Sequence, residues 1–171
     1  MEKLNYSLPD KAKKIIEELA SAEMYQISFY LYLGLCLSNL GYESAHRHFL
    51  SESESERGQL KRLLEFLQSR GITPDVPKVK QPDVEIEDLT GAIKAGYELE
   101  IATTEKYDES VRMMMEIDMM AYLKLCGFLE DQQWRLESYA KKWAVFADLK
   151  EEEQKEQDAL YFGLKPEQPI G

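Results

Sequence analysis

The sequence predicts an all-α protein, a four-helix bundle with a long crossover between its second and third helices. Three observations predict this. Apolar residues recur at helical spacing through four long windows, glycines at 41 and 71 end the first two, and one proline-bearing stretch from 72 to 86 breaks the pattern. A chain of 171 residues with 44% hydrophobic content can bury one sizeable core, so a single domain over residues 1–171 is expected.

Charge narrows the function classes. The formal net charge is −11 with no basic block, which argues against nucleic acid or an anionic membrane as partner and suits a surface that gathers cations. Cys36 and Cys126 lie in apolar helical stretches without a CxxC partner, so reduced thiols and a cytoplasmic setting are expected rather than a disulfide framework. The start, Met1 to Tyr6, has no apolar signal core, and no run reaches the length of a membrane span.

The first helix is expected over about 9–40, opened by Pro9 in its first turn and stopped by Gly41. Its inward face reads Ile15/Ile16, Leu19, Glu23, Ile27, Tyr30, so an acid stands four residues from both Leu19 and Ile27. The second helix, about 43–70, ends at Arg70-Gly71; its stripe of Tyr42, Phe49, Ser53, Glu56, Leu63 and Phe66/Leu67 carries a second inward acid. A lone carboxylate in an apolar seam costs several kcal/mol unless a cation or donor meets it. The short 39–41 connection makes these two helices antiparallel neighbours.

Pro74, Pro77 and Pro82 keep the crossover, 72–86, extended, and its length lets it run along the bundle, so the third helix starts at the same end as the second. That helix, about 87–116, shows Ile93, Tyr97, Glu100, Thr104, Tyr107, Val111 and Met114, with Glu100 the third inward acid. Asp118 is the expected N-cap of a fourth helix running through 118–158, whose stripe includes Leu125, Phe128, Gln132, Leu136, Tyr139, Trp143 and Phe146. Pro166 and Pro169 make the tail, 163–171, irregular.

Each helix thus inserts one polar group near the middle of its apolar stripe. In a bundle of helices of similar length these can fall at one level, and three carboxylates meeting there repel unless cations lie between them. Oxygen ligands suit iron or manganese as well as calcium and magnesium; a helical carboxylate cage with open positions favours iron chemistry.

These residues resemble the ferritin family. Glu56-Arg57-x-Gln59 through Arg70-Gly71 is similar to its second-helix motif and exit, and Glu23 followed seven residues later by Tyr30 is similar to its first. Tyr97-x-x-Glu100 resembles the third helix, Phe128-Leu129-x-x-Gln132 the fourth, and Ala159 to Phe162 a short piece found after the fourth helix in bacterial members. The resemblance spans about residues 8–162 and implies a ferritin-like four-helix bundle with a diiron (Fe2+/Fe3+) ferroxidase centre. That centre would be built from Glu23, Glu56, Glu100 and Gln132, with Tyr30 nearby and Gln59 at the remaining ligand position. In the expected roles Glu56 bridges two irons, Glu23 and Glu100 each hold one outer position, and Gln132 orients bound oxygen or water. It further implies Fe(II) oxidation by oxygen or peroxide, with iron ions as partner and self-association into a cage of 24 subunits storing ferric mineral.

The sequence departs from that pattern at two ligand positions. Gln59 stands where the family has histidine, which removes the nitrogen ligand and weakens one metal position. Arg135, three residues past Gln132, replaces an acid of many bacterial members, and its guanidinium can pair with Glu56 or Glu100 and take the space of a metal. Two functions follow: an iron-binding, Fe(II)-oxidising storage subunit with a weakened centre, or a ferroxidase-incompetent structural subunit whose core carboxylates are neutralised by Arg135. An inward Arg135 side chain favours the second. Elsewhere, Met113, Met114, Met115, Met119 and Met120 read as gap-filling packing, His46 and His48 as surface or interface residues, and 151–158 as a solvated helical end.

Overall fold

The computed structural model describes residues 7–163. Four long helices, α1 (Asp10–Asn39), α2 (Glu43–Ser69), α3 (Leu89–Met114) and α4 (Met119–Phe146), are followed by a short α5 (Glu151–Gln157) and a π-helical turn (Asp158–Phe162). The expected all-α bundle with its long second-to-third crossover is what the chain forms, and no strand occurs among the described residues. None of these helices is long and apolar enough to cross a membrane.

The ends of α1 and α2 share one device. Gly41 (φ 81°) and Gly71 (φ 77°) adopt the left-handed conformation that a side chain disfavours. The chain then turns back so that Tyr42 N–H donates to Leu37 C=O (2.9 Å) and Ile72 N–H to Leu67 C=O (3.1 Å), closing both last turns. At the starts of α3 and α4 an aspartate takes the cap. Asp88 Oδ1 accepts from Gly91 N–H (2.7 Å) and Asp118 Oδ1 from Ala121 N–H (2.8 Å). Asp118 also receives both arms of Arg70 at 3.1 and 2.8 Å, tying the exit of α2 to the entry of α4. Pro9, expected inside the first turn, stands one position earlier as the N-cap residue.

The fourth helix is shorter than the sequence suggested. It stops at Phe146, and residues 147–150 turn the chain before α5, so the single helix expected over 118–158 is two elements. The reason is tertiary. Gln154 on α5 accepts from Thr90 N–H (3.1 Å) at the start of α3, and Asp158 accepts from Ala45 N–H (2.7 Å) and Ser44 N–H (3.2 Å) at the start of α2. A straight α4 would carry these caps away from the two helix N-termini, where unpaired N–H groups favour oxygen acceptors. The stretch read as a solvated end is therefore in part a clasp, with Gln154 and Asp158 buried. The expected irregular tail, 163–171, lies outside the described residues beyond Gly163.

The core falls into two apolar clusters. One joins Phe29, Tyr30, Leu33 and Leu37 of α1 with Phe49 of α2, Ile93 of α3, Tyr139 and Phe146 of α4, and Phe162. The other joins Ile16 and Leu19 of α1 with Leu63 and Leu67 of α2, Val111 and Met114 of α3, and Leu125 and Phe128 of α4. The first gathers the N-terminal halves of α2 and α3, so those helices run parallel, and the crossover returns along the bundle between them. Tyr32 Oη donates to Val84 C=O (2.6 Å) on its way past. Between the clusters lies a polar belt.

The packing reading of the methionines changes. Among the five clustered methionines only Met114 is buried; Met113, Met115, Met119 and Met120 are 41–63% exposed, because the α3–α4 turn carries them off the end of the bundle. His46 and His48, read as surface or interface residues, are half-buried within the chain, the first with Nδ1 2.8 Å from Gly34 C=O and the second against the Phe162 ring.

The clasp makes a direct stability prediction. Asp158→Ala removes the acceptor from the α2 N-terminus and should lower unfolding stability by about 0.5–2 kcal/mol, whereas Glu156→Ala, exposed on the same segment, should leave it unchanged. Urea unfolding followed by far-UV circular dichroism distinguishes the two.

Candidate metal centre

The belt between the two clusters is built by one residue or pair per helix. Glu23 and Tyr30 come from α1, Glu56 from α2, Glu100 and Tyr107 from α3, and Gln132 and Arg135 from α4. Glu23, Glu56, Glu100 and Gln132 are all buried, as the helical stripes required.

A crossed pair of hydrogen bonds locks α1 to α3. Tyr30 Oη donates to Glu100 Oε1, and Tyr107 Oη donates to Glu23 Oε1 at 2.5 Å. Each tyrosine stands seven residues after the acid on its own helix, two turns or about 10 Å along the axis. Because α1 and α3 run in opposite directions, each tyrosine meets the acid of the facing helix. Tyr107 is the site residue missed by the sequence reading, which took it only as an apolar stripe position. The signal was available, since Glu100-x6-Tyr107 repeats the spacing of Glu23-x6-Tyr30.

Gln132 completes the Glu100 side. Its Nε2 donates to Glu100 Oε2 at 2.5 Å and to Thr104 Oγ1 at 3.2 Å, so both oxygens of Glu100 have a donor. On the other side, Glu23 and Glu56 are within hydrogen-bonding reach of each other, and Arg135 points inward onto Glu56 Oε2. Arg135 Nη1 and Glu56 Oε2 meet as an ion pair and not as an aligned hydrogen bond. Glu23 Oε2 and Glu56 Oε1 are buried with no hydrogen-bond donor beyond each other's carboxyl.

Gln59 does not join the belt. Its amide lies between Arg62, which donates to Oε1, and Asp131, which accepts from Nε2 at 3.4 Å. The cause is visible in the next turn. Arg62 spans to Asp131 at 2.9 Å and covers the Phe128 ring, and this α2–α4 contact engages the Gln59 amide, which stays buried.

Tyr139 forms the wall behind Tyr30. The two rings stack with centroids 5.7 Å apart, an approach possible because Gly96 lacks a side chain: a Cβ there would fall 2.6 Å from Tyr139 Cε1.

Electrostatics follow from burial. Desolvation pushes the carboxyl of Glu56 up to about 9, reinforced by the neighbouring Glu23 charge and opposed by Arg135. Burial likewise raises Glu100 to about 7, with the Glu56 charge adding to it, and it raises Glu23. Burial works against the Arg135 charge, but the three surrounding carboxylates outweigh it and hold the guanidinium protonated. Tyr30, Tyr107 and Tyr139 are pushed well above the ordinary tyrosine value, first by burial, so all three stay protonated and Tyr30 and Tyr107 donate to their glutamates across the working pH range.

The arrangement fits a divalent cation in one place and not in another. Two oxygens without donors, on Glu23 and Glu56, are hard ligands of the kind iron accepts. The Glu100 side presents no such oxygen, and among the described residues no three His, Cys, Asp or Glu side chains close on a single point.

Comparison with known proteins follows the same lines. The family model described as "Ferritin-like domain" of the ferritin family matches residues 13–146. No curated protein matches the sequence. Among solved structures the chain is similar to a humanised archaeal ferritin, with 22% identity, a TM-score of 0.85 and coverage of 95% of this chain and 100% of the other. It is also similar to an open-pore ferritin from the hyperthermophilic archaeon Archaeoglobus fulgidus, with 20% identity, a TM-score of 0.85 and coverage of 94% of this chain and 100% of that one. At these identities the structures establish a shared fold.

The raised carboxyl values carry a sign. Glu56 and Glu100 bind protons more tightly in the folded chain than in the unfolded one, where a glutamate titrates near its ordinary value of 4.5. Their contribution is fully present below that value and is lost as pH rises through about 7 and about 9. The metal-free protein should therefore be less stable at alkaline than at mildly acidic pH. Glu100→Gln, neutral at every pH, should flatten the part of that slope centred near neutrality in a urea-midpoint series against pH.

Proposed function

The chain belongs to the ferritin family, and on that premise we propose that it is an iron-storage subunit which binds Fe(II) at the core carboxylates and oxidises it slowly. The observation that carries this reading is the burial of Glu23, Glu56 and Glu100, from three helices, in one polar belt between two apolar clusters, with unpartnered oxygens left on Glu23 and Glu56. Such a belt is costly for folding alone, since each buried carboxyl must be protonated or paired. A divalent cation supplies the missing charge, and iron enters here as substrate and cargo.

The chain's own residues divide the work. Glu23 and Glu56 hold Fe(II) through their open oxygens, Tyr107 orients Glu23, and Tyr30 with Gln132 fixes Glu100 as the acceptor for a released proton. Oxygen or peroxide takes the electrons. Binding must displace the protons that the raised carboxyl values describe, so Fe(II) affinity rises with pH. Gln59, turned toward Arg62 and Asp131, adds no ligand in this arrangement.

Storage requires an enclosed volume, which one bundle lacks. The chain is proposed to act as a single domain in the cytoplasm and to associate with its own copies in a closed shell, 24 subunits in the pattern the resemblance implies.

A second reading is favoured by one observation, the inward Arg135 on Glu56. With that pair in place the belt can be neutral without metal, and the chain becomes a structural subunit with no oxidation of its own.

Mixing the protein with Fe(II) in air decides between them. Slow growth of ferric absorbance, lost in Glu56→Ala, is the expected outcome. No oxidation above the protein-free rate supports the structural subunit, and a fast, complete burst at low iron contradicts the slow centre.

A further inference from the structure

Charge in the belt sets a limit on how many cations it can take. Glu23, Glu56 and Glu100 together carry three negative charges when ionised, and the Arg135 guanidinium offsets one of them. The remaining charge is that of one divalent ion. Two such ions beside a fixed guanidinium would leave an excess of positive charge in a site walled by apolar clusters, where an unbalanced charge is strongly disfavoured.

The hydrogen bonds point the same way. Among the belt carboxylates, the oxygens with neither a hydrogen bond nor an ion pair to another residue type are Glu23 Oε2 and Glu56 Oε1, while Glu100 is taken by Tyr30 and Gln132. The α2 and α4 helices each bring a polar pair three residues apart, Glu56 with Gln59 and Gln132 with Arg135. On α2 the second member has turned out of the belt, and on α4 it is itself a cation. The Glu100 side of the belt is therefore closed by the neutral donors Tyr30 and Gln132, and on the other side Arg135 takes one oxygen of Glu56 and leaves the second, with Glu23, open.

We propose that the belt is a one-cation site, in which a single divalent metal sits between Glu23 and Glu56 and Arg135 permanently occupies the place of a second. This deepens the iron-binding reading and rests on it. Arg135 has a positioning role: it holds Glu56 in place and sets the stoichiometry by its charge.

The test counts metal without relying on turnover. Anaerobic titration of the whole protein with Co(II), followed by calorimetry and by the visible d–d bands of the bound ion, should give one tight site per chain. Arg135→Met, similar in length and uncharged, should admit a second Co(II), and Arg135→Lys, which restores the charge, should return the count to one. Glu23→Gln should lose most of the binding while Arg135 is still present. Circular dichroism on each variant confirms the helical fold, and Arg135→Lys and Glu23→Gln keep the test decisive if Arg135→Met fails to fold. Two equal sites in the unaltered protein, or one site in Arg135→Met, would overturn the single-cation inference while leaving iron binding intact. No Co(II) bound in the unaltered protein would overturn both.

Discussion

The Glu56–Arg135 contact is the interaction around which the interior is arranged. It joins α2 to α4 across the middle of the bundle, at the level where α1 and α3 are joined by their crossed tyrosine–glutamate bonds. Removing Glu56 would leave the buried Arg135 guanidinium without its closest partner, a loss of about 3–5 kcal/mol for such pairs. It also decides the chemistry open to the belt, because a guanidinium cannot be displaced by proton loss at any accessible pH.

The fold makes room for this belt by dividing its apolar core in two. Each cluster draws on all four long helices, so the halves of the bundle pack without help from the polar layer. The layer supplies direction: Tyr30 and Tyr107 set the register of α1 against α3, and a shift of one turn would break both bonds together. At one end of the bundle, the α5 clasp caps the starts of α2 and α3. At the other, Arg70 and Asp118 bind the exit of α2 to the entry of α4. Rigid ends and a polar middle leave the carboxylates preorganised, which is what binding a cation in a dry site requires.

Much of this was legible in the residues. Glu23, Glu56 and Glu100 sit on apolar stripes of three long helices, so their inward placement follows from helical periodicity alone, as does that of Gln132. Asp118 as a cap and the Gly41 and Gly71 exits follow from local backbone chemistry. The partners of Gln59 were not legible, because its amide is held by Arg62 and Asp131, residues of separate helices whose contact no local pattern records. Tyr107 was overlooked as a donor because its role exists only in the antiparallel register of α1 and α3. The break after Phe146 was missed for a similar reason: α5 is turned by caps it provides to helices far away in the chain.

The sequence by itself determined the helices, their order, the parallel course of the second and third, and the four polar residues that interrupt the apolar faces. These depend on spacing and on turn chemistry, which neighbouring residues encode. The tertiary structure alone decided that Arg135 points inward to Glu56, that each tyrosine serves the acid of the opposite helix, and that open acceptor oxygens remain only on Glu23 and Glu56 within the carboxylate belt. The physical reason is that side-chain direction and charge pairing across a core arise between helices, at distances along the chain that no local rule spans.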